Sequence, residues 1–154
     1  MAKIIKGKHK IHGQKVAVIV ARFNEFITKN LLEACLSELQ QCGVKKNNIT
    51  VVWVPGAFEI PVTAKKLALK KEIDAVICLG AVIRGETLHY ELVANDTSRG
   101  IMQVGLETNK PVIMGVLAVD TLEQAYKRSE EKGENKGKEA ALAAVEMIDL
   151  LSHI

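Results

Sequence analysis

Short runs rich in valine and isoleucine alternate along the chain with stretches whose apolar residues recur every three or four positions. Lys15 to Ala21 (KVAVIVA) lacks polar alternation, the pattern of a strand covered on both faces, as in a parallel sheet. From Phe26 to Gln41 the apolar residues Ile27, Leu31, Leu32, Cys35 and Leu39 share one helical stripe, and Gly43 stands where a C-terminal cap belongs. Ile49 to Val54 (ITVVWV) predicts a second strand closed by Pro55-Gly56. After it, Pro61 suits a first helical turn and Ala64 to Lys71 supplies strong helix formers. Ala75 to Ile83 (AVICLGAVI) predicts a third strand, and Thr87 to Thr108 a long helix with Val93, Thr97, Ile101 and Val104 on its stripe. Val112 to Val119 predicts a fourth strand. Thr121-Leu122-Glu123-Gln124 fits a capping box that opens another helix. The charged, glycine-containing stretch Ser129 to Gly137 predicts a loop, and Lys138 to about Leu151 a last amphipathic helix.

Four alternations of strand and helix predict an α/β fold: a flavodoxin-like three-layer sandwich, with a four-stranded parallel sheet and helices on both faces. At 154 residues the chain is close to the commonest domain size, so 1–154 is expected to form one domain. Residues 1–14, with the segment Ile4 to Ile11, have no helix before the first strand. They are expected to pair with a sheet edge, in their own subunit or a neighbour's.

Composition narrows the class. With 48% hydrophobic residues and a mean hydropathy of +0.11, enough apolar surface exists to offset chain entropy, which sets disorder aside. The net charge of +3 is scattered among glutamates, and six aromatics are too few for repeated base-stacking platforms, so nucleic acid is not an expected partner. The longest apolar runs have nine residues, against the roughly 18 of a membrane span, and the start carries no apolar signal region. Neither membrane nor export is expected, and the reading is cytoplasmic. Cys35, Cys42 and Cys78 are odd in number and lack CxxC spacing, so they read as buried small hydrophobes rather than disulfides or metal ligands.

In open α/β sheets, ligands bind beyond the carboxyl ends of the strands. There the chain places Arg22-Phe23-Asn24, then Pro55-Gly56-Ala57-Phe58-Glu59, then Arg84 to His89. Phe23 and Phe58 either stack on a planar heterocycle or plug gaps between helix and sheet. Gly85-Glu86-Thr87 either cradles an anion at a helix start, with only the backbone of Glu86 helping, or is a tight turn with Thr87 as cap. His89, beside that anion site, is either poised for proton transfer or a surface residue; His9, His12 and His153 near the termini read as surface residues. Glu59 either accepts hydrogen bonds from a polyhydroxy ligand or simply favours its helix's first turn. Arg128 and Lys136 bracket the last loop and either complement a phosphate or end solvated helices. The residues thus point to a phosphate-bearing small molecule and a planar partner, without defining a reaction.

Five ordered words, ARFNEFIT (from Ala21), VPGAFEIP (from Val54), GAVIRGETLHYE (from Gly80), DTLEQAYKR (from Asp120) and ENKGKEAA (from Glu134), resemble the lumazine synthase family over nearly the whole chain. The resemblance implies a transferase of riboflavin biosynthesis that condenses 5-amino-6-(D-ribitylamino)uracil with 3,4-dihydroxy-2-butanone 4-phosphate to 6,7-dimethyl-8-ribityllumazine, phosphate and water. It implies neither a cofactor nor a metal. By this likeness Phe23 stacks on the pyrimidine, Ala57, Phe58 and Glu59 hold the ribityl chain, and Ala81, Val82 and Ile83 line the ring. Glu86, Thr87 and Arg128 receive the phosphate with Lys136 as a supporting charge, and His89 is the acid-base residue. Many members place an aromatic from the adjacent subunit where this chain has Met114, a thioether that covers a ring more flexibly. The loop SEEKGEN also lacks the small-residue pattern common in shell-forming members. A homo-oligomer is implied, a pentamer that in many members builds an icosahedral shell of sixty subunits, with sites between subunits and riboflavin synthase as a partner. The competing readings are a related riboflavin synthase, a flavin-binding module and a shell protein without turnover.

Overall fold

The computed structural model describes residues 1–154. Strands β1 (Val16–Ala21), β2 (Ile49–Val54), β3 (Ala75–Ile83) and β4 (Val112–Val119) pair in parallel in the order β2-β1-β3-β4. In this register Val16 lies opposite Ile49 on one side and Ala75 on the other. Between and after them run α1 (Glu25–Gln41), α2 (Ile60–Ala68), α3 (His89–Thr108), α4 (Leu122–Lys127) and α5 (Lys136–Leu151). The expected three-layer α/β sandwich is present.

Side chains alternate across a strand, so β1 divides its apolar residues between two layers. Val16, Val18 and Val20 join the core under α1 and α5; Ala17, Ile19 and Ala21 join the core against α2 and α3. All six residues of β1 are buried, which explains why its sequence shows no polar alternation. Each fully buried valine or isoleucine contributes roughly 1.5–3 kcal/mol, so the two cores hold the central strands firmly.

Three boundaries differ from the sequence reading. α2 ends at Ala68 rather than Lys71, because the chain must turn to return Ile73, 5% exposed, to the core. α3 begins at His89 rather than Thr87, with Leu88 at the cap position. α5 begins at Lys136 rather than Lys138, because the Asn135 side chain accepts hydrogen bonds from the Gly137 and Lys138 amides. The capping box at Thr121 forms as its spacing predicts, with the Gln124 amide donating to the Thr121 hydroxyl at 3.2 Å.

The N-terminal segment forms no strand on either edge of its own sheet. It crosses the end of α5 instead: the Lys8 amide donates to Asp149 at 2.9 Å, His9 meets Glu146 at 2.9 Å, and the Ile11 amide donates to the Cys42 carbonyl at 3.0 Å. No helix of the chain is long and apolar enough to cross a membrane.

The three cysteines are buried and free. Burial pushes the Cys35 thiol up to about 12, raises Cys78 further, and raises Cys42 with help from the Glu38 carboxylate. Because the thiolate is the reactive form, an aromatic disulfide reagent at pH 8 is expected to titrate none of the three in the folded protein and all three in guanidinium. Stoichiometric labelling of the native protein within minutes contradicts this placement.

Candidate active site

Leaving β1, the chain turns through β2 on one side and β3 on the other, so the sheet's switch point lies between β1 and β3. β3 also outruns β1: their pairing ends at Val20 opposite Leu79, while β3 continues beside β4 to Ile83 opposite Val119. The β1-facing backbone of the last residues of β3 is therefore open to a cleft. There the Ala81 carbonyl accepts from the Asn24 side-chain amide at 2.8 Å. By the two-residue period of a strand, Ile83 turns its amide and carbonyl the same way.

A cavity of about 820 Å³ occupies this cleft, within the usual span for small-molecule sites. Its wall includes Phe23, Ala57, Phe58, Glu59, Ala81, Val82, Ile83, Thr87 and His89, so nine of the thirteen expected residues meet in one place. Neither phenylalanine plugs the core: Phe23 is 71% exposed and Phe58 59%. Phe23 is fixed through its backbone, because the Arg22 and Phe23 amides continue the ladder onto the Val54 and Pro55 carbonyls at 2.8 and 3.0 Å. The next residue, Asn24, takes the left-handed conformation (φ 60°) that asparagine tolerates, and its side chain ties the turn to β3. Gly56 leaves room for the Glu59 carboxylate, since a Cβ there would lie 3.2 Å from Oε2.

At the far end of the cleft, the Thr87 hydroxyl lies 3.4 Å from the His89 amide, a long contact that leaves the hydroxyl able to serve a ligand. Glu86 is exposed on the same turn and stands outside the cavity wall. Arg84 is committed elsewhere: its Nε donates to Asp120 at 2.8 Å, its Nη1 meets Glu91 at 3.3 Å, and it lies 4.4 Å from the centre of the Tyr90 ring. Those partners, Asp120 first, raise its already high pKa.

The remaining three residues are not in this cavity. Met114, Arg128 and Lys136 line a second one, of about 330 Å³, between β4 and α5. Arg128 is half-buried and donates to the Gln124 carbonyl at 3.1 Å; Lys136 pairs with Glu139 at 2.9 Å. The fold thus places a cleft with exposed aromatics and His89 on one part of the surface and a hollow with Arg128 and Lys136 on another. No group of three or more His, Cys, Asp or Glu side chains is arranged to hold a metal ion.

The sequence profile of 6,7-dimethyl-8-ribityllumazine synthase matches residues 13–152. A protein of that name from Protochlamydia amoebophila (strain UWE25) is 52% identical over 152 residues, covering 99% of this chain and 88% of the relative. The chain belongs to the lumazine synthase family. Within this lumazine synthase fold, three residues that arrange the site escaped the sequence reading. Asn24 was only a strand-end residue, and neither its left-handed turn nor its reach to Ala81 has a spacing signal. Arg84 likewise is only a residue following the third strand, and its partner Asp120 lies 36 residues away. Asn135 sat inside a stretch that composition marks as loop; a signal was there, since asparagine just before a helical pattern is a strong cap.

Proposed function

We propose that this chain condenses 5-amino-6-(D-ribitylamino)uracil with 3,4-dihydroxy-2-butanone 4-phosphate to 6,7-dimethyl-8-ribityllumazine, releasing phosphate and water. This is the penultimate step of riboflavin biosynthesis. The observation that carries the site assignment is the separation of an aromatic cleft from a cationic hollow on one subunit.

Phe23 offers an exposed ring for the pyrimidine, and the Ala81 and Ile83 backbone lines the same cleft. Val82 adds apolar wall. Ala57, Phe58 and Glu59 follow β2, where the carboxylate of Glu59 accepts hydrogen bonds from ribityl hydroxyls. The butanone phosphate sits at the other end, near the backbone of Glu86, the Thr87 hydroxyl and His89. Its phosphate is met by Arg128 and Lys136 of a neighbouring subunit, and that subunit's Met114 covers the ring. Catalysis is then mainly proximity: an amine held against a ketone, with an anchored leaving group. His89 moves protons during imine formation and the later eliminations.

A patch that meets a different patch on the next copy makes a heterologous interface, which closes into a ring when the rotation between copies divides a full turn. We take the ring to be a pentamer, and sedimentation distinguishes it from a sixty-subunit icosahedral shell. Of residues 1–14, those before Lys8 would then extend to the sheet edge of a neighbour, since Lys8 to Ile11 are held by their own subunit, and riboflavin synthase, as consumer of the product, is the expected partner in the cytoplasm.

The test is absorbance at the lumazine band with both substrates, comparing the natural enzyme with two variants. Phe23→Ala is expected to raise KM for the pyrimidine about tenfold or more, the loss of one stacked aromatic contact, with a smaller change in kcat. His89→Ala is expected to lower kcat about a hundredfold with KM nearly intact. The opposite pattern would overturn the role assignment. Riboflavin appearing from lumazine alone would favour the dismutating synthase.

A further inference from the structure

The seven-residue loop Ser129 to Asn135 joins Arg128 to Lys136, and it is closed at its base by two hydrogen bonds. The Lys136 amide donates to the Arg128 carbonyl at 2.8 Å, and the Asn135 side-chain nitrogen donates to the Ser129 carbonyl at 2.7 Å. Between these points the loop is charged and exposed at Glu130, Glu131, Lys132 and Glu134. These exposed side chains do little to set its width.

Asn135 is only 7% exposed, and both ends of its amide are used. The oxygen accepts from the Gly137 amide at 2.8 Å and the Lys138 amide at 3.2 Å, while the nitrogen serves Ser129. Chemistry fixes this orientation, because the atom facing two N–H groups must be the acceptor and the atom facing a carbonyl must be the donor. Capping alone does not require asparagine: aspartate, serine or threonine would serve the same two amides. The bond to Ser129 does require the amide nitrogen. It ties the residue after Arg128 to the residue before Lys136, and both cations line the same hollow.

We propose that Asn135 is a positioning residue for phosphate binding, holding Arg128 and Lys136 at the separation at which both meet one anion. This rests on the reading of Arg128 and Lys136 as the phosphate-binding pair. Arg128 is steadied on its other side by the Gln124 carbonyl, and Lys136 by Glu139, so the phosphate must find the ammonium already placed rather than draw it in.

The test uses the full-length, assembled enzyme with Asn135→Asp, Asn135→Ser, Arg128→Ala and the double variant Arg128→Ala with Asn135→Ser. Both Asn135 variants keep a cap acceptor and lose the donor to Ser129. Each is expected to raise KM for the butanone phosphate, and the inhibition constant of inorganic phosphate, about three- to tenfold, the span of one hydrogen bond's net worth. KM for the pyrimidine stays unchanged. A merely structural loss lowers the active fraction, and so kcat, without this split between substrates. If Asn135→Asp fails to fold, Asn135→Ser reads the same tether. A rise in Asn135→Asp but not in Asn135→Ser would show charge repulsion and overturn the proposal. Because Asn135 acts through the pairing of Arg128 with Lys136, the double variant should raise KM by less than the product of the two single effects, and a fully multiplicative rise would also overturn it. Arg128→Ala with unchanged KM for the butanone phosphate would sink the phosphate-site reading itself. A raised KM in Arg128→Ala beside an unchanged one in Asn135→Ser would sink only the inference.

Discussion

Alanine at position 137 is expected to lower the melting temperature by roughly 6–12 °C, the consequence of about 3 kcal/mol of overpacking in a domain of this size. Gly137 lies in the first turn of α5, where the helix meets the middle of α1. A Cβ there would land on the Leu31 carbonyl oxygen, 2.7 Å from its carbonyl carbon and 2.9 Å from its Cα. Those are backbone atoms within a helix, so no side chain can swing aside. The buried face of α5 continues through Ala140, Ala141 and Ala144, small residues that bring it close to its neighbours. To admit one methyl group, the whole helix must lift and open gaps along that face, which adds cavity cost to the clash. Gly85→Ala is the control, because a Cβ there meets nothing within 4 Å. Its melting temperature should stay within about a degree, as for substitutions away from packed features. Differential scanning calorimetry decides; an unchanged transition in Gly137→Ala would mean that α5 seats farther from α1 than the structure has it.

The same contact shows what a sequence can and cannot disclose. The layers were legible because parallel strands covered on both faces must be continuously apolar, and KVAVIVA and AVICLGAVI have no other soluble use at that length. The cap at Thr121 was legible because its partners lie within three residues. Asn135 obeys the same chemistry, yet the charged run SEEKGEN around it favours a loop, and Gly137 reads as a helix breaker. Its actual role, allowing α5 to touch Leu31, depends on a residue over a hundred positions away. The cleft was predictable for a topological reason, since everything following β1, β2 and β3 gathers at one edge of the sheet. Exposure of Phe23 and Phe58 was not, because a strand-end aromatic faces core or solvent depending on how far the next strand extends.

The division of the site is the feature that spacing alone conceals. Nothing in the distance between His89 and Arg128 along the chain says that they line different hollows, and only the placement of β4 at the sheet edge separates them.

Subunits carrying His89→Ala and subunits carrying Arg128→Ala, each strongly impaired alone at butanone phosphate well below KM, are expected to recover activity when unfolded and reassembled together. In the proposed mechanism His89→Ala removes the proton-transferring group, worth about 10²- to 10⁴-fold. On the same proposal Arg128→Ala removes a charge-assisted contact to the substrate phosphate, worth about 1.5–3 kcal/mol or roughly 10- to 150-fold. If one subunit's cleft faces its neighbour's cationic hollow, an interface between an Arg128→Ala cleft and a His89→Ala hollow contains both intact residues. In an equal random mixture about a quarter of the interfaces have that arrangement, so activity should approach a quarter of that of the natural enzyme. Simple mixing of preassembled variants should give no gain beyond the average of the two. Two affinity tags, one on each variant, allow mixed rings to be isolated before the assay. Mixed rings no more active than that average would mean that each subunit completes its own site, and the assignment of Met114, Arg128 and Lys136 to the neighbour's cleft would have to be abandoned.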